Sequence, residues 1–67
     1  MSVEKIIVLG KEIKLPTKIE ESDIKRNILS LLKEIDPKLA DDLRSIEYSI
    51  RIEGKIAVVY RLGAVFG

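Results

Sequence analysis

The chain contains no cysteine, no histidine and no tryptophan. Without cysteine there can be no disulfide, and without cysteine or histidine the usual zinc ligands are missing. The same absences remove the common nucleophile–base pairs of enzymes that work through covalent intermediates. We therefore predict that the chain is not an enzyme and that it uses no metal and no other cofactor.

Long apolar runs are also missing. The run from Ile6 to Leu9, for example, is only four residues long, whereas a helix that spans a bilayer needs about 20 apolar residues. The N-terminus has no basic segment followed by a long apolar stretch, so we expect no signal peptide and predict a cytoplasmic protein with no membrane partner. Lysine, glutamate and isoleucine are abundant and glutamine is absent, a bias typical of thermophiles.

Neither sign of charge is in clear excess, because 12 Lys and Arg nearly balance 11 Asp and Glu. Proteins that bind nucleic acid usually carry a basic surplus, so nucleic acid is not the expected partner. One local basic strip keeps that possibility open: Lys11, Lys14, Lys18, Lys25 and Arg26. The alternative is an ordinary solvated face, since acidic residues are interspersed among these cations.

The length of 67 residues predicts a single domain, residues 1–67, with a C-terminal tail from residue 63. A chain this short hides only about 60% of its unfolded surface when it folds. Dense apolar packing or assembly must therefore stabilise it.

The first fifteen residues have the pattern of a β-hairpin. An apolar run ends at Leu9, and Gly10 allows a tight reversal because glycine adopts positive φ without strain. Ile13 and Leu15 then alternate with charged residues, as in a half-buried strand. We expect this second strand to end at Pro16, which lacks an N–H.

Apolar residues at helical spacing follow: Ile24, Ile28, Leu31, Leu32 and Ile35. The start of this helix is open, with Ser22 as N-cap or with Thr17 and Glu20 as a capping box. Pro37 ends it and opens a short second helix, for which Asp36 is the expected N-cap. The residues expected on the buried side of the second helix are Leu39, Ala40 and Leu43.

Two more strands complete the pattern. Residues 46–53 alternate strictly, with Tyr48 on the apolar face, and residues 55–62 are apolar on both faces. Continuous apolar strands suit the middle of a sheet and alternating ones its edges, which gives the order 2-1-4-3 with the first and last strands parallel. This is the ubiquitin-like β-grasp architecture, an α+β fold with one main helix across a mixed sheet. An antiparallel ββαββ meander is the alternative.

In this architecture the helix covers one sheet face, so the other face should carry an apolar patch, and such patches tend to mark interfaces. Of the two sides of the last strand, we expect Ile56, Val58, Tyr60 and Leu62 on the core side. The first strand contributes either Ile7 and Leu9 or Ile6 and Val8 to the patch. The predicted docking patch is Ile7, Leu9, Ala57, Val59 and Arg61. Its occupant is a protein partner or, through the same patch, a second copy of the chain.

The chain end suggests a second site. Gly63 breaks the last strand, and the sequence stops at Gly67. A terminal glycine has no side chain, so its carboxylate can enter a narrow active site and be activated there. The alternative is a short extra strand, or a tail that packs on the core or on a partner.

Several of these features together resemble the small ubiquitin-like protein C family of the PRTRC cassettes. They are the strand closed by Gly10, the strand ending at Leu15-Pro16, the helix capped at Ser22, the segment Asp36-Pro37-Lys38-Leu39, the Gly54 hairpin and the ending Arg61-Leu62-Gly63…Gly67. The resemblance implies a β-grasp fold and protein partners that include a ThiF- or E1-like activating enzyme and a JAB-like protease. It implies a role as a modifier or carrier, with Gly63 and Gly67 in the activated tail.

Overall fold

A computed structural model describes residues 2–63 of the chain. Its elements occur in the predicted order of strand, strand, helix, short helix, strand and strand. They are β1 (Ser2–Val8), β2 (Lys11–Glu20), α1 (Glu21–Ile35), α2 (Pro37–Arg44), β3 (Tyr48–Glu53) and β4 (Ile56–Arg61).

The four strands form one mixed sheet in the order β2-β1-β4-β3. β1 and β2 pair antiparallel, as do β3 and β4, and the two hairpins join through the parallel pair of β1 and β4. The prediction of a small α+β domain with β-grasp-like topology is confirmed, and the antiparallel meander is excluded. The edges of the sheet are β2 and β3, the two strands whose sequences alternate.

The first hairpin closes through a two-residue turn at Leu9 and Gly10, with Val8 opposite Lys11. Both turn residues have positive φ, +49° and +87°, as the type I′ turns of two-residue hairpins require. Glycine adopts this conformation freely, whereas leucine is strained in it. The turn therefore stores some strain at Leu9.

The sequence predicted that β2 ends at Pro16, but the strand continues to Glu20. The strand passes the proline through a bulge in which residues 15–18 of β2 lie opposite Glu4 alone. Pro16 therefore needs no ladder hydrogen bond, which is the condition under which an edge strand tolerates proline. On the other side of β1, the backbone N–H groups of Glu4 and Lys5 both donate to the carbonyl of Lys55, at 2.8 and 3.4 Å.

The extension of β2 also moves the start of α1. The helix begins at Glu21 with Glu20 at the N-cap position, so Ser22 lies within its first turn and is not the cap. Thr17 and Glu20 belong to the strand, and the predicted capping box is wrong. The second helix starts as predicted: Asp36 accepts a hydrogen bond from the backbone N–H of Leu39 at 3.3 Å, and a proline occupies the first turn.

The core lies between one face of the sheet and the two helices. Ile24, Ile28 and Leu32 of α1 are buried there, together with Ala40 and Leu43 of α2. The sheet contributes Val3, Ile6, Val8, Ile13, Ala57 and Val59. Within residues 2–63, neither helix has the length and apolar character that a membrane crossing requires.

Candidate functional site

The two faces of β4 are the reverse of the sequence-based assignment. Ala57 and Val59 are 0% and 1% exposed and lie in the core. The sequence-based prediction placed them on the docking patch of the opposite face. Tyr60, expected in the core, is 42% exposed on the opposite face. The prediction that the last strand is apolar on both faces is right, but its choice of the core side is wrong.

The register of the second hairpin explains the correction. The hairpin turns through Gly54 and Lys55, so Ile52 lies opposite Ala57 and Ile50 lies opposite Val59. Paired residues point to the same face of a sheet, and the isoleucines of β3 face the core. The sequence contained this signal, because a two-residue turn after an alternating strand determines which residues of the next strand share its buried face.

The side of the sheet away from the helices is hereafter the open face. Two cross-strand rows define it, each running over β2, β1, β4 and β3 in that order. The first row is Glu12, Ile7, Val58 and Arg51, and the second row is Lys14, Lys5, Ile56 and Glu53. Within these rows, the two middle strands carry Lys5 and three half-buried aliphatic side chains, and the edge strands carry only charged ones.

More apolar surface lies where β1 and β4 both end. Leu9 follows Val8, and its backbone N–H donates to the carbonyl of Val59 at 3.1 Å, which places it beside Tyr60. Leu9 is 41% exposed and Tyr60 is 42% exposed. Strained backbone in folded proteins is concentrated at functional sites, so the positive φ of an exposed leucine next to this surface favours a role for it there.

Ion pairs within the chain border the aliphatic centre. Lys5 and Glu12 pair diagonally across β1 and β2 at 2.5 Å, and Arg51 and Glu53 pair along β3 at 3.5 Å. The hydrogen bond from Lys5, followed by its charge, holds the pKa of Glu12 below its usual value. Glu12 therefore remains a carboxylate at neutral pH. Lys14 has no ion-pair partner within residues 2–63 and lies directly opposite Lys5.

Of the predicted patch residues, Ile7 lies on the open face and Leu9 at its end. Arg61 is exposed, but it pairs with Tyr48 on the helix side of the sheet. The residues that sequence reasoning missed are Ile56, Val58 and Tyr60. The structure therefore keeps a patch on the uncovered face but builds it from the other side of β4.

The basic strip does not form one surface. The Nζ of Lys11 donates to Asp36 at 2.7 Å, and Lys25 pairs with Glu21 within α1 at 3.8 Å. The hydrogen bond from Lys11, then that from the backbone N–H of Leu39, lowers the pKa of Asp36. Two of the five cations are thus engaged with carboxylates on separate elements.

An open cleft of about 350 Å³ lies at the β2 bulge, lined in part by Lys14, Thr17 and Lys18. Among residues 2–63, no group of three carboxylates converges as a metal ion would require. Gly63 is exposed in a turn after β4 with φ of +74°, and Gly67 lies outside the described residues.

Comparison of the chain with protein-family models, with curated proteins and with solved structures finds no match in any of the three. The resemblance to the PRTRC protein C family stays a prediction from the residues. The open face, with the adjoining Leu9, is therefore the candidate functional site on the strength of its geometry.

Proposed function

We propose that this chain is a small protein-interaction module that binds its partner through the open face. The observation that supports the proposal is the aliphatic centre formed by Ile7, Ile56 and Val58. It lies on the sheet face that neither helix covers, and charged residues of both edge strands border it. An apolar centre with a polar rim is the usual anatomy of a protein interface.

The proposal is tested by placing a charge at the centre of the patch. Val58→Glu introduces a carboxylate into the aliphatic centre, and Lys33→Glu changes an exposed charge on α1, on the other side of the molecule. Each tagged full chain is recovered from the cells that make it, and the proteins bound to it are quantified. We expect Val58→Glu to lose the bound proteins, the chain's own untagged copies included, and Lys33→Glu to retain them. Equal recovery by both variants would contradict the proposal.

The modifier or carrier role at Gly67 remains a separate hypothesis, which rests on the resemblance described above. It is tested by the intact mass of the protein isolated from its native cells. An isopeptide to lysine, an adenylate or a thiocarboxylate on Gly67 would support it. An unmodified chain under all growth conditions would leave noncovalent binding as the function.

A further inference from the structure

The charge pattern of the open face specifies its own partner. We propose that the open face binds a second copy of this chain, related by a twofold axis that runs parallel to β1 and β4 and passes between them. This inference rests on the proposed function and names the partner of that same site. Closed twofold dimers are the commonest soluble oligomers, and each copy then uses the same surface.

Each copy of the chain presents the same two rows on its open face. A twofold axis along the strands reverses the order of the strands in the second copy. It leaves positions along the strand direction unchanged, so each row lies over the same row of the second copy. β2 then lies over β3 of the second copy, and β1 lies over β4. Sheets packed face to face keep their strands within about 30° of each other, so this arrangement is an ordinary sandwich.

In that arrangement, residues of opposite charge meet at both edges. Glu12 lies over Arg51 of the second copy, and Lys14 lies over its Glu53. Because the axis repeats each contact, the dimer contains two pairs of each kind. Complementary potentials of this sort determine which surfaces associate and in which register.

The apolar residues of the first row match as well, whereas the second row places Lys5 over Ile56 of the second copy. Ile7 lies over Val58 of the second copy, in the same row as the Glu12 and Arg51 contacts. At the end of the sheet, Tyr60 comes over the strand that leads into Leu9 of the second copy. Two exposed apolar side chains beside the open face are thereby brought together.

The monomer has an unfavourable feature that the dimer corrects. Lys14 and Lys5 lie directly opposite each other on adjacent strands, and like charges in that position are destabilising. Lys5 forms an ion pair with Glu12, whose carboxylate also feels the charge of Lys14, but Lys14 makes no ion pair within the part of the chain that the structure describes. In the proposed dimer, Glu53 of the second copy gives Lys14 a carboxylate directly opposite it.

A twofold axis across the strands is the competing geometry. It would place Glu12 over Lys14 and Arg51 over Glu53 of the second copy, which also pairs opposite charges. In that geometry, however, Tyr60 would lie over the end of the second copy's sheet that carries the Gly54 turn. It would then be far from Leu9 of the second copy. The axis along the strands is favoured because it alone brings the exposed apolar side chains together.

The decisive experiment mixes two charge reversals. In the proposed dimer, Glu12→Lys by itself places a lysine over Arg51 of the second copy. Arg51→Glu by itself places a glutamate over Glu12 of the second copy. Mixed together, the two variants form a heterodimer in which both contacts pair opposite charges. We expect each variant alone to dimerise about tenfold more weakly than the wild type, and the mixture to recover wild-type affinity within about threefold, as sedimentation equilibrium measures.

The off-face reversal Lys33→Glu is the matched control and should dimerise like the wild type. Far-UV circular dichroism establishes that every variant is folded. A wild-type chain that stays monomeric at every accessible concentration would overturn the inference. So would a mixture no stronger than its components, which is the result that the axis across the strands produces.

These failures are distinct from failure of the proposed function. If the chain is monomeric but Val58→Glu still loses its bound proteins, the open face binds a different protein and only the second copy is wrong. If Val58→Glu changes neither self-association nor the recovery of other proteins, both the proposed function and this inference are wrong.

Discussion

The face assignment of β4 makes a sharp prediction, because two adjacent valines lie on opposite sides of the sheet. Val59 is 1% exposed in the core, and Val58 is half-buried on the open face. Val59→Ala and Val58→Ala remove the same atoms from neighbouring positions. Their effects on the free energy of unfolding should therefore differ only through burial and packing.

The magnitude follows from the atoms removed. Two buried methylene equivalents account for about 1.6 kcal/mol in Val59→Ala, and the enclosed cavity raises the loss to about 2–3 kcal/mol. A domain of this size is stable by only about 3–10 kcal/mol, so the loss is a large share of the total. At Val58 the surroundings are open, and we expect a loss of about 1 kcal/mol or less.

The assay is urea unfolding followed by far-UV circular dichroism, at a protein concentration low enough to suppress association. A thermal melt should show a fall in Tm of about 8–16 °C for a 2 kcal/mol loss, since a domain this small shifts by about 4–8 °C per kcal/mol. An equal or greater loss in Val58→Ala would refute the face assignment. It would also remove the aliphatic centre on which the interaction proposal depends.

Two further predictions concern the turn and the acid response. Leu9→Asn should raise the stability by about 0.5–1 kcal/mol in urea, because asparagine tolerates positive φ, whereas the equally exposed Leu62→Asn should not. A loss at Leu9 would contradict the strain argument. Asp36 has a lowered pKa, so its stabilising effect is present above the ordinary aspartate pKa and is lost as the pH falls through the lowered value. Urea unfolding across this pH range should show that acid lowers the free energy of unfolding less in Asp36→Asn and Lys11→Met than in the wild type. A pH dependence equal to that of the wild type would contradict this prediction.

The fold could be predicted from local sequence signals because each of them is strong. Alternation in residues 46–53 and continuous apolar character in the last strand assign edge and central places in the sheet, and the observed order agrees. Asp36 and Pro37 start the second helix for reasons that lie within four residues, since the cap and the fixed φ act locally. Such signals need no knowledge of distant contacts.

The errors have a common origin in contacts between distant segments. Pro16 ends a strand in isolation, but here it lies in a bulge opposite Glu4, so β2 continues and the start of α1 moves. The last strand is apolar on both sides, so its own residues do not determine which side faces the core. Pairing with β3, whose isoleucines face the core, determines the buried side instead.

The sequence by itself determined the order of elements, the sheet topology, the second helix cap and the existence of apolar residues on both sides of the central strands. Only the tertiary structure decided which of those residues are buried and which remain on the open face. It alone also brought the charges of three separate strands into two rows. The physical reason is that period and capping depend on neighbours in sequence, whereas a surface pattern depends on the register between strands, which turns and bulges shift by single residues.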